Sequence, residues 1–382
     1  MIYLALKMLT GDRLKYIALV AGVSFAALLI TQQASIFNGF AKRIGIWIEQ
    51  RENIDLWVMD PQVRFSEDVK PVNDTSLQLV RGTSGVAWAV PMYKGFLRAR
   101  LSDGTLQLTR VVGLDDTTLI GAPAEMDQGR LEDLRRDRAV FINTEDASFT
   151  LAHKRNPKDP LRIGDRLSLN DHEVQVTGLY RAPREFFWEP VIYTTYSRAL
   201  EIAPRERKLL SYVLVKLLPG VDVEVVRAAI AGRTGLHAFT AEEFKESSRA
   251  YIMDRTGILV NFGITIALGF VIGLLVAGQT FYTFVLENLR YFGAIKAMGG
   301  SNRTILKMLV AQVLVVGILG YGIGLGAAVV SGAALSKAGL AFYMSWQIPV
   351  FGGIAVVGCC LVAGVLGVVR VMRLEPGIVF RS

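Results

Sequence analysis

The chain alternates between long stretches without charge and one stretch in which apolar and polar residues change places every second position. Uncharged windows cover residues 16–41, 256–288 (Glu287 the one exception), 308–336 and 338–369. Each is long enough for a helix of about 20 residues, the length that crosses a hydrocarbon core of about 30 Å. After the first window, Ile36, Phe37, Phe40, Ile44, Ile46 and Trp47 keep a helical spacing, which predicts that the first span continues as a stalk. From about residue 53 the period shortens. Strands are predicted at 54–59, 86–90, 95–101, 106–112, 139–143, 174–180, 191–195 and 212–217. Turn residues separate them, and 166–178 reads as a hairpin about Asn170 and Asp171. Helices are predicted at 221–233 and 241–254, and the second should join the apolar run from residue 256 as another stalk.

The fold class that follows is a membrane α-helical protein of four transmembrane helices, with a large α+β extracytoplasmic domain inserted between helices 1 and 2. The predicted organisation is an amphipathic cytoplasmic segment at 1–15, the first span and its stalk at 16–52, and the α+β domain at 53–240. A stalk and the second span follow at 241–286, then a cytoplasmic helix at 287–303, the third span at 304–335, a short outer loop at 336–347, the fourth span at 348–369 and a cytoplasmic tail at 370–382. A signal peptide would also begin with a basic segment, but the run 16–30 is long and no A-x-A site follows it closely. Small residues recur at four-residue intervals at Gly269 and Gly273, at Gly320 and Gly324, and at Gly322 and Gly326. Such rows suit close helix packing within one subunit or a seam between two.

Charge sets the orientation. Of 42 basic and 34 acidic residues, 31 of each lie within 34–255, leaving 11 basic and three acidic residues elsewhere. Apart from Lys337 these basic residues sit near the N-terminus (Lys7, Arg13, Lys15), between the second and third windows (Arg290, Lys296, Arg303, Lys307) and near the C-terminus (Arg370, Arg373, Arg381). Lys and Arg flanking spans stay on the cytoplasmic side, so all three segments, and both termini, are expected inside. The basic balance reflects this topology and contact with anionic lipid rather than nucleic acid. The cysteines, Cys359 and Cys360, are adjacent on a predicted helix and point different ways, a poor geometry for a mutual disulfide.

Within 287–303 (ENLRYFGAIKAMGGSNR), Leu289, Phe292, Ile295 and Met298 recur every three residues, predicting one short amphipathic helix ended by Gly299 and Gly300. The series Glu287, Asn288, Leu289, Arg290, then Gly293 to Ser301, and Arg303 resembles the R-x-x-E-I-G-I-L-R-A-L-G-A-S stretch of the FtsX-like/MacB-like (type VII) permeases of ABC transporters. It departs at Phe292 and Ala294, where the acid before the glycine is missing. Leu374 to Arg381 is similar to the family's terminal P-x-x-A-L-R. Ala21 to Ala26, Val112 to Asp115, Ala139 to Ile142 and Val176 to Leu179 resemble blocks of its DevC-like exporter branch.

The resemblance implies that 287–303 is the coupling helix that docks on the nucleotide-binding subunit, with Glu287, Leu289, Arg290, Phe292, Gly293, Ile295, Lys296, Met298, Gly299 and Arg303 in that contact. It implies an ABC ATPase partner carrying ATP and Mg, a second permease copy in a homodimer, and a periplasmic membrane-fusion adaptor with an outer-membrane duct. The location it implies is the bacterial inner membrane, and the role is mechanotransmission driving export of an amphipathic or hydrophobic cargo. A non-transporting scaffold that regulates an extracytoplasmic enzyme, and a lipoprotein-release permease, are the alternatives.

No catalytic or cofactor site is expected in the chain itself. It has no G-x-x-x-x-G-K-[ST] to cradle ATP, and neither G-x-S-x-G nor H-E-x-x-H. His153, His172 and His237 lack the neighbouring ligands of a zinc site, and Asp115 and Asp116 are adjacent rather than spaced for acid–base work. Ionisable groups are missing from the spans, which argues against an ion-coupled carrier. The span residues Gln32, Gln33, Gln279, Thr280 and Gln312 are candidates for bonds across helices. Arg181, Arg184, Phe186, Phe187 and Trp188 form an aromatic–basic segment that either meets a partner or cargo or folds back onto its own domain.

Overall fold

The computed structural model describes residues 2–51, 53–152, 160–204 and 209–372; His153, Arg373 and the terminal motif at 374–381 lie outside these. The chain divides into two compact units, one of Met1–Lys42 with Thr256–Ser382 and one of Arg43–Arg255.

The first unit is helical. It holds α1 (Ile2–Gly11), most of α2 (Arg13–Glu49), α8 (Ile258–Glu287), α9 (Leu289–Ala297), α10 (Asn302–Lys337) and α11 (Gln347–Met372). Among the described residues three helical segments are long and apolar enough to cross a membrane, Arg13–Glu49, Ile258–Phe284 and Arg303–Lys337, and Gln347–Val362 adds a shorter apolar one. Much of the exposed surface of α8 is apolar, with Leu259, Val260, Ile264, Leu268 and Leu275 all more than half exposed. Such a face suits lipid rather than water.

Close packing explains the small residues. A Cβ built on Gly269 would lie 3.3 Å from the Leu29 side chain, and one on Gly273 2.5 Å from Ala26. Built on Gly320 it would lie 2.7 Å from Val23, and on Gly324 2.4 Å from the Ser24 carbonyl oxygen. Two of the three small-residue rows are therefore filled by α2 of the same chain, and the Gly322/Gly326 row meets nothing within 4 Å among the described residues. Gln312, wholly buried, donates from Nε2 to the Ala5 carbonyl at 2.7 Å and fastens α1 to α10. Cys359 and Cys360 are both buried free thiols.

The second unit is an α+β domain. In chain order it contains β1 (Leu56–Met59), α3 (Asp74–Arg81), β2 (Val86–Arg100), β3 (Leu106–Leu114), β4 (Glu125–Gln128), a 3-10 turn at Leu131–Arg135, β5 (Ala139–Asn143) and α4 (Thr144–Ser148). There follow β6 (Arg166–Leu169), β7 (His172–Arg181), β8 (Val191–Thr195), α5 (Tyr196–Ile202), β9 (Tyr212–Leu217), α6 (Val223–Thr234), β10 (His237–Phe239) and α7 (Ala241–Arg255). The strands form one sheet in the order β10-β1-β9-β2-β3-β8-β5-β7-β4, with β6 paired to β2 and β7. The β3–β8 and β5–β7 pairs are parallel and the others antiparallel.

The two strands expected at 86–90 and 95–101 form one, β2. Pro91 lacks the N–H that a central strand donates, yet β2 continues through it because it changes partners nearby, from β9 (Val86 to Met92) to β3 (Tyr93 to Arg100). At the changeover the Ser211 hydroxyl accepts from the Lys94 N–H at 2.9 Å and donates to its carbonyl at 3.1 Å. The expected hairpin closes at Asn170 and Asp171, both at positive φ (48° and 65°), as a two-residue turn of the mirror-image type demands. The expected stalk helix is present as α7 but does not run on into the apolar segment as one helix. Gly257 stands at φ 65°, a left-handed conformation that breaks the helical path, so α7 and α8 are separate helices.

Candidate functional site

Two segments singled out in the sequence now have geometry. The first is the polar connection within the helical unit. α8 stops at Glu287 because Asn288 leaves the helical conformation (ψ 9°), its side chain folding back to donate to the Phe284 carbonyl at 2.8 Å. The Asn288 carbonyl then accepts the N–H groups of Tyr291 and Phe292, starting α9. The helix ends in a Schellman arrangement. Gly299 stands at φ 89°, its N–H reaches the Lys296 carbonyl at 3.0 Å, and the Gly300 N–H reaches that of Ile295 at 2.8 Å. Ser301 caps α10, its Oγ accepting from the Thr304 N–H. Glu287 pairs with Lys15, which also holds Asp12 at 3.0 Å.

Of the expected apolar face, Phe292 and Ile295 turn inward and Met298, just past the end of α9, does not. Phe292 and Ile295 are buried in one cluster with Ala5 and Leu9 of α1, Phe284 of α8, and Ile305, Met308 and Leu309 of α10. Burying these two side chains removes apolar surface from water and ties the helix to α1, α8 and α10. Gly293 is buried beside them, Lys296 is half-buried and Gly299 exposed. Tyr291 and Met298 are strongly exposed, at 63% and 79%, and Glu287, Arg303 and Lys307 are exposed as well. Of Leu289 and Arg290 only the backbone falls within the described part.

The second segment, 181–189, lies in the α+β domain. Its arginines are engaged locally, Arg181 with Asp127 at 2.6 Å and Arg184 with Glu145 at 2.8 Å. Phe186 and Phe187 fold back half-buried. Phe187 packs on Phe65, which stacks in turn on Tyr251 with ring centres 5.0 Å apart. Trp188 alone of the three aromatics points outward, 74% exposed.

What fixes this segment was not foreseen from the sequence. Arg110 of β3, its side chain 2% exposed, pairs with Glu185 and donates to the Phe187 and Glu189 carbonyls at 3.1 and 3.0 Å. It shares Glu67 with Lys94 of β2, whose Nζ lies 2.6 Å from Glu67 Oε1 and 2.9 Å from the Ser66 carbonyl. Burial pushes Lys94 down to about 8 even with Glu67 opposing, and Arg110 adds to the depression. Burial alone would raise Glu67, but Lys94 and Arg110 outweigh it and hold the carboxyl below its ordinary value. Asp146, nearby in α4, is pushed up to about 6 by burial, against a hydrogen bond from Thr150. No sequence signal marked them: the runs that enclose them, Ala89 to Gly95 and Thr109 to Leu114, are recognised as buried only in the structure. A strand buried on both faces has no room for a solvated charge, so such a cation has to be paired.

His172 and His237 lie on separate strands, β7 and β10, and among the described residues no cluster of His, Cys, Asp and Glu could hold a metal ion.

Comparison with known proteins gives the family. The MacB-like periplasmic core domain matches residues 17–233, and the FtsX-like permease C-terminal domain matches residues 263–376. No curated protein matches the chain. Among solved structures it is similar to the periplasmic region of MacB from Actinobacillus actinomycetemcomitans, with 13% identity over 52% of this chain and 94% of that one and a TM-score of 0.38. It is also similar to the extracellular domain of the noncanonic ABC-type transporter YknZ from Gram-positive bacteria, with 13% identity over 49% and 99% and a TM-score of 0.35. A domain of a permease protein from Porphyromonas gingivalis gives 17% identity over 49% and 88% and a TM-score of 0.33. The first of the two family matches takes in more than half of the chain. By those matches the chain belongs to the FtsX-like/MacB-like permease family of ABC transporters.

Proposed function

We propose that the chain is the permease subunit of an ABC exporter in which a separate ATPase, carrying ATP and Mg, drives a change in the extracytoplasmic domain. Two permease copies work with two ATPases in the bacterial inner membrane, four helices crossing it with both termini cytoplasmic and the domain at 53–240 outside. The segment at 287–303 is the docking element, and an adaptor and outer-membrane duct receive an amphipathic or hydrophobic cargo.

The observation that carries this reading is the bracing of α9. Helix breaks bound it at Asn288 and Gly299, Phe292 and Ile295 anchor it, and Tyr291, Met298 and Arg303 remain outward. An element so fixed transmits a push to α8 and α10, whereas a flexible loop would absorb it. The contact itself is assigned to the outward residues, Tyr291, Met298 and Arg303 with Lys307, and the inward pair is given the work of transmission.

The test is affinity purification of the tagged chain in mild detergent with identification of the co-purifying chains. An ATPase together with a membrane-fusion adaptor is expected, and Arg303→Glu combined with Met298→Asp should lower ATPase recovery at least tenfold. An ATPase accompanied by a cell-wall hydrolase would replace export with the scaffold reading, and a bound lipoprotein would replace it with lipoprotein release. Absence of any ATPase would overturn all three.

A further inference from the structure

The buried charges of the α+β domain form one connected series that begins in the last turn of α2. The Trp47 indole, 1% exposed, is enclosed between two cations, with Lys94 Nζ 3.5 Å and the Arg51 guanidinium 3.9 Å from the ring centre. Arg51 is itself tied to the Tyr193 hydroxyl at 2.7 Å. From Lys94 the series passes to Glu67 at 2.6 Å, from Glu67 to Arg110 at 3.3 Å, and from Arg110 to Glu185 and to the carbonyls on either side of Trp188. Every charged side chain from Lys94 to Glu185 is less than a tenth exposed. Apolar neighbours can slide past one another because the hydrophobic effect has no direction. Buried ion pairs cannot, since separating them strands an uncompensated charge, and a desolvated cation over an indole is held more strongly than one in water.

We propose that Lys94, Glu67 and Arg110 are positioning residues that make the segment 181–189 follow the end of α2, so that displacement of this helix re-aims Trp188 as the outward contact of the domain. The inference rests on the permease reading for what displaces α2, and on the domain's own geometry for the connection. It gives the exposed indole a role as the moving end of a stiff series.

The experiment uses the full-length chain in nanodiscs with Trp188→Cys carrying a nitroxide, the two native thiols being buried; unsubstituted chain treated alike is the control. Trp47→Leu, at the far end of the series, should raise the mobile fraction of the label at least twofold, and Trp47→Phe, which keeps an aromatic face for both cations, should restore most of the parent line shape. Lys94→Met should act like Trp47→Leu, and serves in its place if the latter fails to give the parent tryptic pattern. Val140→Ala, equally buried in β5 but outside the series, should leave the line shape unchanged. An unchanged label in Trp47→Leu and Lys94→Met, with loosening in Arg110→Met alone, would overturn the series and leave only local pinning. Loosening in all the core variants, Val140→Ala included, would overturn it too, as general destabilisation. These outcomes are independent of ATPase co-purification, so failure of the permease reading and failure of this proposal are told apart.

Discussion

The segment at 287–303 and the segment at 181–189 are both short, polar and rich in basic and aromatic residues, and they are held by opposite means. The first is fixed by apolar side chains and backbone caps, with Phe292 and Ile295 in a hydrophobic cluster and Gly299 and Gly300 closing the helix. The second is fixed by buried charge, with Arg110 gripping one carboxylate and two carbonyls. The difference teaches that a segment can be rigid without a periodic apolar face, and that its anchor can lie 70 residues or more away in the chain. It also separates how the two should fail. Loss of an apolar anchor leaves a cavity, whereas loss of a buried ion leaves its partners charged and dry.

The largest effect should come from the charge side. Arg110→Met leaves Glu185 without its partner and Glu67 with Lys94 alone and should cost about 3–5 kcal/mol, seen as a lower melting temperature and rapid tryptic cleavage within 181–189. Phe292→Ala should cost about 3 kcal/mol or somewhat more and should release α9, read as proteolysis at Lys296 with the α+β domain still protected. If Arg110→Met proved as mild as an exposed substitution, the contrast between the two anchors would be lost.

That contrast also marks what the sequence could disclose. β5, β8 and β9 fall at the expected residues, the Asn170–Asp171 turn is where its chemistry required it, and α9 follows from a three-residue period with a glycine stop. All of these depend on neighbours in the chain. β4 and β10, of four and three residues, and the short helices α3, α4 and α5 carry too few residues for a period to stand out. The inward turn of Phe292 and Ile295 needed α1 and α10 in place before it could be seen. Lys94 and Arg110 read as ordinary cations until β2 and β3 are known to be buried and Glu67 and Glu185 are brought to them across the sheet.

A titration sharpens the comparison further. Lys94 has a folded value near 8 against an unfolded value near 10.5, so the unfolded state binds more protons between these limits and stability rises with pH across that window. Below pH 8 the penalty of the buried charge is fully present. The melting temperature of the parent should therefore gain on that of Lys94→Met from pH 8 to pH 10.5, while a Phe292→Ala comparison shows no such slope. At the helix stop, Gly299→Ala places a side chain at φ 89° and should cost about 1–2 kcal/mol, lowering recovery of the ATPase more than it lowers the melting temperature. The smallest effect is expected at Arg184→Ala. Its pair with Glu145 is exposed on both sides, so the change should stay within about 0.5 kcal/mol.

The crowding of α2 against the glycines of α8 and α10 bears on how this chain diverges over time. A Cβ at Gly324 or Gly320 would press on backbone or branched side chains of α2, and one at Gly273 would strike Ala26. Drift at these three positions is therefore tied to simultaneous change at Val23, Ser24, Ala26 and Ala27. Gly322 and Gly326, one turn apart on the open side of α10, carry no such obligation among the described residues. An aligned set of relatives should show covariance between the first group and α2, and independent replacement by larger apolar residues at the second.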